Sequence, residues 1–367
     1  SSRFGRDVEA GLKLAGVHWG LFPSIQTAWL LSSEDFFNRE ALGINSLKLS
    51  AGYDVSGNDD VAITASRTSL SATRFMNGSV GLVLNNIGNT GIQWETTHRL
   101  RVGLDLTEYN NILAFSLNFF KSYTNNLLTL KSLPEITGEG YYWSNDGSLE
   151  NIGLDFGVRF KLLNRKNWKW ELGANATAYK NKITALPDGD YTTTIYGANV
   201  LTSVGRAAGV FYGYETDGVY ATQQEAEEAG LTLVSTTGEV TPFAAGDMKF
   251  VDHVQDGIIN EKDMVVIGNP NPDVYGNLYS NLSYKRLSLN MNFNYSFGND
   301  IYNYQRSQLE SGSQFFNQTT ALNRRWIAEG HHTDIPKATF GDPMGNSRFS
   351  DRWIEDGSYL RLRSVTL

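Results

Sequence analysis

Between Leu287 and Phe297 the chain alternates without interruption. Leu287, Leu289, Met291, Phe293, Tyr295 and Phe297 are apolar, and Ser288, Asn290, Asn292, Asn294 and Ser296 between them are polar and uncharged. A period of two puts the first set on one face of a strand and the second on the other. The pattern returns from Ile152 to Leu162, where Gly153, Asp155, Gly157, Arg159 and Lys161 form the polar side. It returns again from Trp168 to Ala178, opposed by Lys169, Glu171, Gly173, Asn175 and Thr177. Shorter copies lie at Leu47 to Tyr53, Leu100 to Leu106 and Leu113 to Phe119. The longest runs match the roughly 9–11 residues that a tilted strand needs to cross a hydrocarbon layer.

The connections sort by length. Tyr109 to Asn111, Leu163 to Asn167 and Lys285 to Arg286 are tight turns, whereas Leu127 to Ser148, Ile183 to Val274 and Asn299 to Gly357 are long and rich in Gly, Ser, Thr and Asn. Short and long alternate, as they do when hairpins run up and down with turns on one rim and loops on the other. The expected fold is therefore all-β, an antiparallel up-and-down transmembrane β-barrel with long extracellular loops. Strands are expected over 99–109, 112–126, 149–163, 168–182, 275–284 and 287–298. The parity closes if 183–274 is an outer excursion with an even number of crossings, zero included. A soluble β-sandwich also alternates, because one face meets its core. The two architectures differ in where the stripe from Leu287 to Phe297 points. Trp168, Trp170, Tyr179, Tyr284, Tyr295 and Phe297 stand near strand ends, where aromatic girdles meet the headgroups.

Composition narrows the function. Only 19% of residues are charged, 12% are aromatic, and 36 Gly accompany 18 Tyr and 19 Phe, a strand-and-turn usage. The formal charge is -8 and no Lys/Arg cluster stands out, so nucleic acid is not an expected partner. With no Cys, disulfides, thiol nucleophiles and thiolate metal sites are excluded, leaving five His and the carboxylates as metal ligands. No apolar run approaches a membrane helix. The chain opens at Ser1 without a leader and its last residues, Arg361 to Leu367, run on in a strand-like pattern, so a piece of a longer protein is expected.

Two segments are candidate sites. Asp252 to Asp263 has the spacing of a calcium loop, with Asp252, Asp256, the Ile258 carbonyl, Asn260 and Asp263 as oxygen ligands and Gly257 at the sharp turn. Val254 occupies a ligand position and Asp263 replaces the usual Glu, so an Asp-Gly turn held by side-chain hydrogen bonds is the competing reading. A bound Ca2+ is expected to stiffen a long loop that has no core of its own. Tyr141, Tyr142 and Trp143, with Asn145 beside them, offer aromatic faces and amides suited to a sugar ring, or else to packing within the loop. Gln223 to Leu231 reads as a short acidic helix with a solvated face. No nucleophile elbow, zincin, P-loop or dinucleotide motif is present, so no enzyme is expected.

Several segments in order resemble the SusC/RagA family of TonB-dependent outer-membrane transporters. Lys48 to Asn58 is similar to that family's strand and Gly-Asn turn, and Asn89-Thr90-Gly91-Ile92-Gln93-Trp94-Glu95-Thr96-Thr97 to the element before a barrel strand. Asn151-Ile152-Gly153-Leu154-Asp155, Gly246-Asp247-Met248, Asp256-Gly257-Ile258-Ile259-Asn260 and Ile267-Gly268-Asn269-Pro270-Asn271-Pro272 continue the series. Ser296-Phe297-Gly298-Asn299-Asp300 and Ser350 to Arg363 close it.

The resemblance implies residues 1–367 as part of a plugged barrel of about 22 strands, without the N-terminal plug, the TonB box and the final strands. It implies the outer membrane of a Gram-negative bacterium, and import of oligosaccharide or peptide powered through TonB. A SusD-like lipoprotein and outer-membrane lipid are the implied partners. A soluble β-rich carbohydrate-binding or glycoside-hydrolysing domain, and an adhesion barrel without transport, remain the alternatives.

Overall fold

The computed structural model describes residues 2–6, 19–61, 65–74, 79–108, 110–133, 136, 141–187, 189–235 and 238–367. Its principal sheet has ten strands: β1 (Ser2–Arg6), β2 (Trp19–Leu30), β3 (Ile44–Asn58), β4 (Glu95–Glu108), β5 (Leu113–Asn125), β6 (Ser148–Asn164), β7 (Trp168–Ala185), β8 (Val274–Tyr284), β9 (Leu287–Phe297) and β10 (Tyr359–Thr366). They are hydrogen-bonded in chain order, and every pair is antiparallel. This is the up-and-down order that the alternating connections predict. The 183–274 excursion returns no strand to the sheet, so β7 pairs directly with β8 and the number of crossings is zero. The turn expected at Tyr109 to Asn111 begins at a residue outside the described ones, and Asn111 in it has a positive φ of 57°.

The two faces have opposite polarity, and the apolar one is the outer one. Leu100, Val102, Leu117, Leu154, Phe156, Leu278, Leu287, Phe297 and Leu362 are all exposed, and no member of the Leu287 to Phe297 stripe is buried. In that strand the buried residue is Ser296. Among the described residues, every fully buried apolar side chain except Ile183 lies outside the ten strands. A sandwich would show the reverse, with these stripes interdigitating in a dry core. Here the stripe has hydrocarbon as its partner, and the 11 residues of β9, at about 3.3 Å each and tilted by about 40°, span an apolar band about 25 Å tall. No described helix is long and apolar enough to cross a membrane.

Local chemistry supports the strands from both sides. On the lumen face Tyr279 lies flat across Gly173, where a Cβ would sit 2.1 Å from the ring, and its hydroxyl donates to Glu171 at 3.2 Å. Lys48 and Asp105 pair on the same face at 2.6 Å, and Thr177 donates to Asp155 at 2.7 Å. On the outer face Trp168 and Tyr284 pack with tilted rings 4.3 Å apart between centres at the turn rim, and Tyr295 and Phe297 stack at 5.5 Å near the loop rim, as girdle residues do. Tyr179 is an exception to the girdle expectation. It shares the lumen face with Thr177 and contacts Tyr275 at 6.1 Å, because its odd position follows the polar register of β7.

This polarity makes a paired test. Phe293→Arg, on the lipid side near mid-strand, is expected to destabilise the barrel by about 2–4 kcal/mol and to deplete the folded form in outer-membrane fractions assayed by heat-modifiable gel mobility. Asn292→Arg, one residue away on the lumen side, is expected to leave assembly intact.

Candidate functional site

Inside the sheet the lumen is polar and aromatic. Arg99, Arg101, Ser122, Asn151, Asp155, Thr177, Tyr179 and Tyr275 line a concavity of about 340 Å³. Above it, the two longest loops, 186–273 and 298–358, fold together. Val219, Tyr220, Ala226, Phe243, Met248, Phe250 and Ile259 from the first form a core with Met344 from the second, and Trp326 packs against it. The expectation of a loop without its own core is therefore corrected: short strands and turns bring apolar residues together that show no period along the chain.

Asp247, 1% exposed, joins the two loops. It accepts from the Ala244 amide at 3.0 Å and from the Asn346 side-chain amide at 2.9 Å, and pairs with Lys337 at 3.1 Å. Asn346 in turn accepts the Met248 N–H at 2.8 Å. Gly246 beside it has φ 82°, and Trp326 lies so close that a Cβ would meet the ring at 2.5 Å. Burial, with Asp247 nearby, pushes the Tyr220 phenol up to about 12. Asp351 adds a second clasp, accepting from the Thr216 amide at 3.1 Å and its hydroxyl at 2.6 Å. The unit is tied to the barrel by an asparagine knot. Asn181 of β7 donates to Asn271 at 2.8 Å and accepts the Ala208 N–H at 2.8 Å, while Asn271 donates to the Ala208 carbonyl at 2.8 Å.

The acidic helix forms at Gln223–Ala229, but it is not simply solvated. Thr222 caps it, Ala226 is buried in the core, and Glu225 accepts the Ala221 N–H at 2.9 Å and pairs with Lys249 at 3.1 Å.

The calcium-loop candidates are brought together as a chain of side-chain turns. Asp252 accepts from the Gln255 and Gly257 amides at 2.6 and 2.8 Å, Asp256 from Ile258 at 3.0 Å, and Asp263 from Val254 and Asn260 at 3.3 and 2.9 Å. Asn260 reciprocates in a capping box, and its amide donates to the Ile258 carbonyl at 3.2 Å. Desolvation opposes ionisation of Asp252, but the amides of Gly257 and Gln255 outweigh it and hold the carboxyl below the usual range. Among the described residues no three His, Asp or Glu side chains are placed to share a metal ion.

Tyr141, Tyr142, Trp143 and Asn145 lie on a strand rather than in an open loop. Tyr141–Asn145 pairs with Leu128–Ser132, and the side chain of Tyr141 lies outside the described residues. Trp143 packs on the core of Val61, Ala65 and Ile92. Asn145 accepts from the Gln93 amide at 2.6 Å and donates to the Gln93 and Asn126 carbonyls at 2.7 and 3.0 Å. Trp143 and Asn145 therefore serve loop packing.

A second cluster of aromatic side chains lies elsewhere. A cleft of about 320 Å³ in the joined loops is lined by Tyr196, Tyr302, Gln308, Gln314, Phe316 and Trp353, among others. Tyr196 is 76% and Phe316 71% exposed. Tyr196 and Gly197 form a two-residue hairpin turn with φ of 50° and 83°, and the Tyr302 hydroxyl donates to the Tyr196 carbonyl at 3.2 Å. A tyrosine in that conformation is strained and is held by its surroundings. Ring faces beside Gln and Ser side chains are suited to the C–H faces and hydroxyls of a sugar, or to the side chains and amides of a peptide. Sequence reasoning missed these residues because they come from segments about a hundred positions apart; the only local signal was the aromatic at a Tyr-Gly turn.

Two outcomes test the loop assignments. Asp247→Ala leaves Lys337 and Asn346 without their buried partner and is expected to destabilise the loop unit by roughly 3 kcal/mol, read as faster hydrogen exchange across 186–273. Exchange across Asp252 to Asp263 is expected to be equal in calcium and in chelator, and faster in Asp252→Ala. Protection that appears only with calcium, and vanishes in both Asp252→Ala and Asp256→Ala, would assign a cation to the loop.

No family model matches the chain. It is 32% identical over 357 residues to the TonB-dependent receptor P26 of Formosa agariphila, covering 94% of this chain and 35% of that protein. It is 24% identical over 381 residues to the TonB-dependent receptor SusC of Bacteroides thetaiotaomicron, covering 100% of this chain and 35% of that one. Among solved structures it resembles the RagAB peptide importer in its closed-closed state with a TM-score of 0.73 and 21% identity, over 99% of this chain and 38% of that one. The chain thus spans about a third of the length of the relatives it matches, and those relatives are receptors and transporters of the outer membrane, not enzymes. In sequence it is similar to TonB-dependent receptors, SusC among them, and in fold it is part of an antiparallel outer-membrane β-barrel of the kind seen in RagAB.

Proposed function

We propose that this chain forms part of an importer for oligosaccharides or peptides, driven through TonB, with a SusD-like lipoprotein closing the barrel mouth. The observation that carries the reading is the pairing of a polar lumen beneath an exposed aromatic cleft with an outer face that is predominantly apolar between its rims. A lumen lined by Arg99, Arg101, Asn151 and Asp155 offers a solvated path, and Tyr196, Phe316 and Gln314 offer a first contact at its outer side. Exposed Phe315 and Phe340, stacked with ring centres 4.7 Å apart, give the same loop region an apolar knob suited to a protein lid. In this reading residues 1–367 contribute ten strands to a cylinder of about 22. Further strands satisfy the outer edges of β1 and β10, since an unpaired edge is not tolerated in hydrocarbon. A plug and TonB box belong to a preceding region.

The test uses the full-length receptor in its own outer membrane. The double variant Tyr196→Ala and Phe316→Ala is expected to reach normal outer-membrane levels and to raise the half-saturation concentration for uptake about tenfold, two aromatic contacts at roughly 0.5–1.5 kcal/mol each. Removal of TonB is expected to abolish uptake. Uptake that persists without TonB overturns the importer reading, and calorimetric titration with oligosaccharides and with peptides separates the two substrate classes.

A further inference from the structure

We propose that the outer face of β5, β6 and β7, at the loop rim, binds the phosphate-bearing headgroup of an outer-leaflet lipid through Lys121, Lys180 and Lys182. The inference rests on the outer-membrane placement of the barrel and not on what the barrel transports.

The register puts these residues on one face. Leu100, Lys121, Ile152 and Lys180 are successive partners across β4, β5, β6 and β7, and His98, Tyr123, Glu150 and Lys182 form the next row toward the loops. All continue the outward register of the apolar stripes. Lys121 follows Phe119 by two positions on β5, and Lys180 follows Ala178 on β7, so each lysine stands where the apolar band of its strand ends. Strands about 4.8 Å apart and same-face neighbours about 7 Å apart place the ammonium groups of Lys180 and Lys182 within reach of one headgroup, with Lys121 beside them holding Glu150. Lysines on a lipid-facing surface extend their charge to the headgroup layer.

The charges around them leave the patch positive. Glu150 lies between the lysines but is taken by Lys121 at 2.7 Å. His98 is engaged with the Tyr53 hydroxyl at 2.7 Å. Lys180 and Lys182 are exposed, and neither forms an ion pair among the described residues. The loop that bonds to the end of β7 adds Arg206 beside Asp190, which also accepts from Ser203 at 2.6 Å and the Val204 amide at 3.1 Å, so that pair leaves the charge of the two lysines unchanged. Two unpaired ammonium groups at a lipid boundary call for an anion held at that depth, and a phosphate carried on acyl chains supplies both the charge and the apolar contact with Phe119, Leu154 and Ile152. The turn rim differs: there the band ends in Trp168 and Tyr284, and the basic residues Arg165, Lys166, Lys285 and Arg286 lie in the turns beyond the sheet face.

The test measures lipid retention by the full-length receptor in detergent, using native mass spectrometry after exchange into phosphatidylethanolamine vesicles doped with bisphosphorylated lipid A. The wild type is expected to retain the phosphorylated lipid. Lys180→Gln with Lys182→Gln is expected to reduce retention about tenfold or more, Lys180→Arg with Lys182→Arg to preserve it, and Lys285→Asn at the opposite rim to leave it unchanged. Equal retention of dephosphorylated lipid A, displacement by inorganic phosphate, or an equal loss in Lys285→Asn would each overturn the proposal. Because the readout is lipid and not uptake, an inactive transporter that retains the lipid separates this inference from the import reading.

Discussion

An amide buried in hydrocarbon has no water to bond, and this single constraint orders the molecule. Each of the strands β2 to β9 finds partners on both sides, antiparallel and in chain order, so the backbone between the rims is satisfied by neighbours alone. With the ladder fixed, side chains have only two directions. The outward one carries Leu, Phe, Val and Trp, and the inward one carries Asn, Ser, Thr, Arg and Asp. The protein is thus inverted relative to a soluble domain: its buried apolar residues lie in the loops, and its longest apolar rows are exposed. Tight lumen packing follows from the same geometry, as where Gly173 leaves room for the Tyr279 ring.

Above the rim water returns, and the rules change with it. The loops 186–273 and 298–358 build a small core of the ordinary kind, with Phe243, Met248 and Phe250 inside. Its specificity comes from polar groups rather than from the core alone. Asp247 binds Asn346 and Lys337 from the second loop, and Asp351 binds Thr216 from the first. The first loop supplies most of this core, and Met344 and Trp326 of the second pack onto it, so the polar clasps and these contacts hold the two loops together. The asparagine knot of Asn181 and Asn271 ties them to the barrel wall.

Two boundaries therefore define the function that the chain supports. The inner one separates a polar lumen from the wall, and the outer one separates the apolar band from the headgroup layer. The proposed substrate path belongs to the first, where aromatic rings, amides and arginines face solvent. Lipid chemistry belongs to the second, where Lys121, Lys180 and Lys182 mark the end of the band.

The strands, their direction and the polarity of each face were legible in the sequence, because a period of two is a local property and needs no distant residue to be read. The rims were legible for a related reason: tight turns and long loops alternate along the chain, and their lengths are read directly from the sequence. Tyr179 escaped because its ring suggested a girdle while its parity put it in the lumen. The calcium spacing of Asp252 to Asp263 was visible, but the backbone amides that take up those carboxylates are donors that every residue carries, and composition cannot show where they point. Trp143 and Asn145 pack against Ile92 and Gln93, contacts about fifty positions away that the sequence does not show. The loop core, the Asp247 clasp and the aromatic cleft join segments roughly a hundred residues apart, and only tertiary structure could decide them, since contacts at that separation leave no periodic trace along the chain.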